Sequence, residues 1–390
     1  MLHALEGSQA IAQAVALCRP GVVAAYPITP QTHIVENISK LVADGKLKCE
    51  FVSVESEFSA ASVALGAAAT GSRAYTASSS QGILLMAEVL FNIAGLRLPM
   101  VLTCANRAIG APINIWNDHQ DSMTVRDSGW IQLFCADNQE AVDTTIQAFR
   151  IAERLELPVM VCMDGFVLTH TLEVVDLPSA EQVDSYLPPF TFANKLDPRR
   201  PLSLGTLVGP EYYSESRHSL HRALQKSIPE IVAADKDWKK LTGRSAGGLL
   251  TVEGPKDAKT AILAMGSVVS TLCEANEVLA PKRKTKLIKL RAFRPFPVEA
   301  LVQVCEGLTE LIVVDRAFSP GQGGILGTEV RSALAGMKKK PTIKNFAIGL
   351  GGRDIPLETI THLLDAAKEQ EEGDFAILDV ELNKLPPEDR

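Results

Sequence analysis

Apolar and polar positions alternate along this chain in two blocks with an irregular stretch between them. From about residue 21 to residue 165, short β-branched runs at 22–26, 50–54, 74–77, 100–104, 131–135 and 159–164 read as buried strands. Helix-length segments separate most of them, which predicts a doubly wound parallel α/β sheet. One segment, residues 58–70 (FSAASVALGAAAT), is almost all small residues, with Ser56 before it as an N-cap. A helix of that composition packs closely on a sheet or on another subunit.

The rhythm breaks between residues 169 and 254. Pro178, Pro188, Pro189, Pro198, Pro201, Pro210 and Pro229 punctuate this stretch, and 214–226 is its best helix. A long excursion of this kind reads as a subunit contact. Alternation then resumes, with strands predicted at 260–264, 286–290, 311–314 and 344–348 and helices at 270–279, 298–306, 328–335 and 357–367. The chain therefore divides into residues 1–245 and a smaller α/β domain at 256–385.

Composition narrows the classes. The chain has 390 residues, 46% of them hydrophobic and only 5% aromatic, and a formal net charge of -7. The acidic balance argues against nucleic acid as the main partner. No apolar run is long enough for a bilayer, and the first eighteen residues lack a basic leader region. Seven scattered cysteines form no CxxC pair, so a cytoplasmic protein with reduced thiols is expected, ligating neither a structural zinc nor an iron–sulfur cluster.

Candidate chemistry lies at the carboxyl ends of the first-domain strands, where open α/β sheets bind ligands. The loop YPITP (26–30) sets one threonine between two prolines, presenting Thr29 on stiff backbone. Arg107 follows the strand at 100–104 on the same rim, and its planar guanidinium suits a carboxylate, although an Arg in this position also serves as a surface ion pair. Glu55 and Glu57 precede the small-residue helix, where acids complement a helix N-terminus. The polar cluster 117–121 (NDHQD) has no second histidine at ligand spacing and reads as a hydrogen-bonded loop shaping a pocket. Residues 321–324 (GQGG) lack the Lys-Ser/Thr of a phosphate loop and read as a tight turn. Arg291, Arg294, Pro295 and Pro297 read as a structural or interface turn.

Taken in order, YPITP (26–30), VESEFSAAS (54–62), SSSQGILLM (78–86), ANRAIGAPINIWNDHQDSM (105–123), DSGWIQLF (127–134), PVMVCMDGFVLTH (158–170), LRAFRPFP (290–297), DRAFSPGQGGI (315–325) and GLGGRD (349–354) resemble the α subunits of 2-oxoacid:ferredoxin oxidoreductases, most closely those acting on pyruvate. The resemblance implies a thiamine-diphosphate pyrimidine-binding domain followed by a transketolase C-terminal-like domain. It implies decarboxylation of a 2-oxoacid, with coenzyme A taking the acyl group and ferredoxin the electrons. It assigns Glu57 to the cofactor pyrimidine, with Glu55 as the fallback, and Thr29 and Arg107 to the substrate carboxylate. Pro27, Ile28, Ser80 and Gln81 would line the cofactor. The GDG diphosphate signature and cysteine clusters are missing here, so Mg2+ and [4Fe–4S] clusters are expected on β-, γ- and δ-type partner subunits, with no metal on this chain. The same chemistry on another 2-oxoacid, such as 2-oxoglutarate or a branched-chain one, and a non-catalytic assembly subunit remain as alternatives.

Overall fold

The computed structural model describes residues 2–279 and 284–390. All six strands expected in the first block form one sheet. Its order runs Ala292–Arg294, Ile131–Phe134, Val159–Asp164, Met100–Asn106, Ala74–Ser78, Val22–Ala25, Glu50–Ser53. The six are mutually parallel. Only Ala292–Arg294, contributed from the later half of the chain, joins antiparallel. Except in the edge strand Glu50–Ser53, their side chains are almost continuously buried, which is why they read as unbroken apolar runs. The chain leaves Val22–Ala25 first toward Glu50–Ser53 on one side and then toward Ala74–Ser78 on the other. That reversal opens a crevice at the carboxyl ends of these strands.

The second sheet has the order Phe375–Ile377, Thr342–Ala347, Glu310–Asp315, Thr260–Ala264, Thr285–Leu290, Leu250–Glu253. Leu250–Glu253 alone is antiparallel. One apolar core runs through residues of both sheets, from Ala10 and Val161 to Leu263 and Leu326. Arg291, fully buried, helps join them: its guanidinium donates to the Gly248 carbonyl, to Thr144 Oγ1 and to Gln147 Oε1. Residues 323–324 form a small hairpin with Phe318–Ser319, matching the tight turn expected there.

Strands Leu250–Glu253, Ala292–Arg294 and Phe375–Ile377 were not foreseen where a linker, a turn and no element were expected, and neither were two larger features. The irregular middle contains one helix of 33 residues, Pro210–Thr242, rather than one confined to 214–226. It passes through Pro229, a residue that reads in sequence as a terminator. Its second half is held by packing instead, with Trp238 buried and Arg150 and Arg154 of helix Asn138–Leu155 paired to Asp237 and Glu230. Gly243 ends it in the left-handed region, with φ of 79°. The second unforeseen feature is an antiparallel pair between Leu2–Glu6 and Leu172–Asp176. Both strands are largely exposed and too short to show a period.

Candidate active site

The YPITP loop is fixed from below by Gln31. This fully buried side chain accepts from Ile28 N at 3.2 Å and donates to the carbonyl of Ala77 at 2.9 Å. It thereby ties the loop after Val22–Ala25 to the neighbouring strand. Gly165 closes in from another side, because a Cβ there would lie 2.4 Å from Pro30 Cγ. Pro27 and Thr29 are exposed and Ile28 is half-buried.

Arg107 is brought to this loop. Its Nη1 donates to the Thr29 carbonyl at 3.0 Å and its Nε to the Asn114 carbonyl at 2.7 Å. Two of its five N–H donors are so engaged, leaving Nη2 and one Nη1 hydrogen for a ligand. The main chain at Arg107 is held in turn by Asp121, whose Oδ2 accepts from Arg107 N and from Ser80 N, each at 2.9 Å. Oδ1 accepts from Asn106 Nδ2 at 2.8 Å and Ser122 N at 2.7 Å. Burial pushes the Asp121 carboxyl up from 3.8 to about 6, against the pull of these hydrogen bonds. Asp121 is thus a knot joining three loops, and it gives the NDHQD cluster its role.

Ser80 has φ of 50° and is fully buried. Its hydroxyl donates to the Ala108 carbonyl, so its side chain braces the Arg107 loop. Gln81 is exposed, with its side-chain amide against the Ser80 hydroxyl.

Glu57 opens helix Glu57–Ala69, with Ser56 accepting from Ser59 N as its cap. The two neighbouring acids differ. Glu55 is exposed and already accepts from Ser59 Oγ. Glu57 is 7% exposed, and among the described residues no protein donor reaches its carboxylate. The Ser78 hydroxyl is also buried without a partner. A Cβ on Gly82 would lie 2.4 Å from Ser78 Oγ and 2.6 Å from Glu57 Oε1, so both groups surround the same glycine. Buried polar atoms without partners are unfavourable by about 1–3 kcal/mol each unless a ligand or water meets them.

A polar cluster, not legible in the sequence, clamps the loop between the two sheets. His119 Nε2 and Asp164 Oδ1 lie 2.7 Å apart, both fully buried. Ser267 N donates to Asp164 at 2.8 Å, and Arg316 Nη1 stands 3.9 Å from it. Burial would raise the Asp164 carboxyl, but attraction to His119 and Arg316 holds it well below the usual range. Asp118 accepts from Gly351 N at 3.1 Å, and Asn114 Nδ2 donates to the Gly351 carbonyl at 3.0 Å.

Comparison with known proteins decides the lineage. A family model described as pyruvate flavodoxin/ferredoxin oxidoreductase, thiamine diP-bdg, matches residues 13–234. A second, pyruvate:ferredoxin oxidoreductase core domain II, matches residues 258–360. The chain belongs to the pyruvate:ferredoxin oxidoreductase family.

Relatives within the family extend over nearly the whole chain. Pyruvate synthase subunit PorA of Methanosarcina barkeri is 46% identical over 369 residues, covering 93% of this chain and 92% of the relative. Ketoisovalerate oxidoreductase subunit VorA of Pyrococcus abyssi is 40% identical and covers 93% of each. In fold, the chain is similar to a 2-oxoglutarate:ferredoxin oxidoreductase from Magnetococcus marinus, with a TM-score of 0.73 at 20% identity. That match covers 94% of this chain and 65% of the other, so this chain spans about two thirds of that longer one. A split-gene transketolase matches with a TM-score of 0.56 at 13% identity, covering 95% and 100%. In this family member Thr29, Glu57, Ser80 and Arg107 lie in the first matched segment, while Ser267, Arg316 and Gly351 lie in the second. The buried His119–Asp164 cluster is therefore the joint between the two family modules.

Proposed function

We propose that this chain is the cytoplasmic α subunit of pyruvate:ferredoxin oxidoreductase (pyruvate synthase), converting pyruvate and coenzyme A to acetyl-CoA and CO2 with electrons passed to ferredoxin, or running the reverse. The observation that carries the reading is the buried, partnerless Glu57 carboxylate within one crevice of a chain 46% identical to a pyruvate synthase subunit. Thiamine diphosphate, when bound, supplies the nucleophilic carbon and the electron sink for decarboxylation. Glu57 holds a proton against a pyrimidine ring nitrogen, a role for which its open carboxylate and the bare Gly82 leave room. Arg107 binds the 2-oxoacid carboxylate with its remaining N–H donors, and the exposed Thr29 hydroxyl adds one more. Ser80 positions Arg107 through Asp121 and Ala108, and Pro27, Ile28 and Gln81 line the rim.

In this reading the diphosphate, its Mg2+ and the [4Fe–4S] clusters belong to β-, γ- and δ-type partner subunits. The cysteines accord with that division, since all seven are free and the neighbouring pair Cys104 and Cys162, side by side on adjacent strands, is too few for a four-thiolate cluster. So does the open rim, where Tyr26, Phe58, Ile113, Ile115 and Trp116 stay exposed for another chain to cover. Residues 211–219 of the long helix are exposed on every side and suit a further subunit contact. A groove of about 1400 Å3 beside that helix, lined by Arg126, Leu220 and Phe296, includes none of the residues assigned here. We place the two domains at 1–245 and 256–385, in keeping with the segments matched by the family models.

A branched-chain substrate is the second reading. The VorA and PorA relatives of Pyrococcus abyssi are equally similar to this chain, at 40% each. Isolation of the native complex tests both. Partner subunits and iron should co-purify, and dye reduction should depend on coenzyme A and be fastest with pyruvate. A chain isolated without partners or iron overturns the assignment, and faster turnover of 2-oxoisovalerate moves the substrate.

A further inference from the structure

Three chain segments far apart in sequence meet at Glu6, His33 and His170. Glu6 ends the strand Leu2–Glu6, His33 lies in the first turn of helix Thr32–Ala43, and His170 sits just before the strand Leu172–Asp176. One ligating atom from each can be chosen so that all three lie within 4.8 Å of one another. His33 Nδ1 is 2.8 Å from Glu6 Oε1, and the two imidazole centroids are 4.7 Å apart. We propose that Glu6, His33 and His170 form a divalent-cation site of the zinc class on the outer face of the first domain.

The donor set suits a borderline ion. Two imidazoles and one carboxylate with a fourth position open to water match Zn2+, and Co2+ substitutes for it readily. Ligand atoms on a tetrahedral ion stand roughly 3.3–3.6 Å apart, given bonds of about 2.0–2.2 Å. The 2.8 Å contact between His33 Nδ1 and Glu6 Oε1 would have to open to that spacing when the ion enters. The second imidazole carries the outer support that metal-binding histidines normally have. His170 Nδ1 lies 2.7 Å from Thr169 Oγ1, which itself accepts from Phe166 N at 2.8 Å. With Nδ1 so occupied, Nε2 is the atom left for an ion.

The backbone under the three groups is already fixed. Glu6 is in register with Leu172, and Gly7 N donates to the Thr171 carbonyl at 3.2 Å. Ser8 N and Ser8 Oγ both donate to the Thr169 carbonyl, at 2.9 and 2.8 Å. An ion here would meet donors carried by two hydrogen-bonded segments and the first turn of a helix. It would clip the helix that follows the YPITP loop to the turn containing Gly165, which packs on Pro30. No local spacing reveals the set, because its members are 27 and 137 residues apart.

Full-length, tag-free chain titrated with Zn2+, and separately with Co2+, tests this. One ion should bind per chain, with visible Co2+ bands of a tetrahedral site, and Zn2+ should raise the melting temperature. His33→Ala or His170→Ala should weaken binding at least about tenfold and abolish the thermal shift, and Thr169→Val should weaken it about 10–100-fold through the lost outer bond. His33 is 46% exposed, so its removal leaves the fold intact and the metal-free melting temperature unchanged. His218→Ala/His221→Ala, on the exposed part of the long helix, should change nothing. Absence of binding by the unsubstituted chain, undiminished binding by His33→Ala/His170→Ala, or loss on changing His218 and His221 overturns the proposal.

Discussion

Arg107 donates its Nη1 hydrogen to the main-chain carbonyl of Thr29 across 3.0 Å, so the cation and the threonine loop hold one another in place. The consequence is that a change at either residue acts on both. Arg107→Leu should lower kcat/KM for the 2-oxoacid tenfold or more, since charged hydrogen bonds contribute about 1.5–3 kcal/mol and 1.4 kcal/mol is a decade. Affinity for thiamine diphosphate in the assembled complex should be spared. Arg107→Lys should retain only part of the function, because an ammonium cannot reach the Thr29 and Asn114 carbonyls and still offer a planar fork. Thr29→Val removes one neutral donor, keeps the backbone carbonyl, and should cost less. Steady-state kinetics with cofactor titration checks the set, and wild-type constants in both Arg107→Leu and Thr29→Val would remove these residues from the carboxylate site.

Glu57 makes a sharper case because it has a steric partner. Glu57→Gln should reduce turnover about 10²–10⁴-fold with the fold intact, the range for a lost acid–base group. Gly82→Ala should damage the same step without replacing the acid, since the new methyl would overlap Glu57 Oε1 and Ser78 Oγ. Hydrogen–deuterium exchange at C2 of the bound cofactor reads both variants directly. Normal exchange in Glu57→Gln would turn attention to Glu55, although that side chain is exposed and already bonded to Ser59.

The parallel sheet was legible because its strands are buried on both faces and leave unbroken apolar runs, as at Met100–Asn106 and Val159–Asp164. Ser56 was legible as a cap because capping is local chemistry. What escaped the sequence is non-local. Helix Pro210–Thr242 continues past Pro229 because Asn138–Leu155 packs along it, and no window of sequence contains that partner. Gln31 and Asp121 look like ordinary polar residues until burial forces their amide and carboxylate onto backbone groups 46 and 41 residues away. A cluster such as NDHQD signals a polar loop, while the identity of its anchor depends on which side chain ends up inside.

Asp121 carries a pH signature. Whichever way the new amide of Asp121→Asn turned, its NH2 would face two donors, either Ser80 N and Arg107 N or Asn106 Nδ2 and Ser122 N. Asp121→Asn should therefore destabilise the chain by about 2–6 kcal/mol at pH 7, taking about 1–3 for each of two orphaned donors. The wild-type carboxyl is raised to about 6 from 3.8, so the folded state binds the proton more tightly than the unfolded one. Its ionised form is a burden above pH 6 that is relieved as the pH falls toward 4, whereas an asparagine side chain does not titrate. The stability gap between wild type and Asp121→Asn should widen across that window. Denaturant unfolding at about pH 7, 5.5 and 4.5 measures it, and a gap that narrows on acidification would mean the four hydrogen bonds outweigh burial.

Asp164 should behave in the opposite sense. Its carboxyl is held well below 3.8, so it contributes stability that is present above the unfolded value and is lost as the pH falls through the folded one. Asp164→Asn leaves the buried Arg316 without its charge partner and turns an NH2 toward either His119 or Ser267 N, and should destabilise the chain by about 3–5 kcal/mol at neutral pH. The gap from wild type should shrink as the pH falls below about 4. Because Ser267 and Arg316 belong to the second matched segment and Asp164 to the first, the loss should also loosen the joint between the two sheets. Hydrogen exchange at Ser267 N, which donates to Asp164, should speed up in the variant more than exchange within Val22–Ala25. Equal acceleration at both places would show global destabilisation alone, and an unchanged Ser267 amide would mean that the two modules are held together by their shared apolar core and Arg291 rather than by this carboxylate.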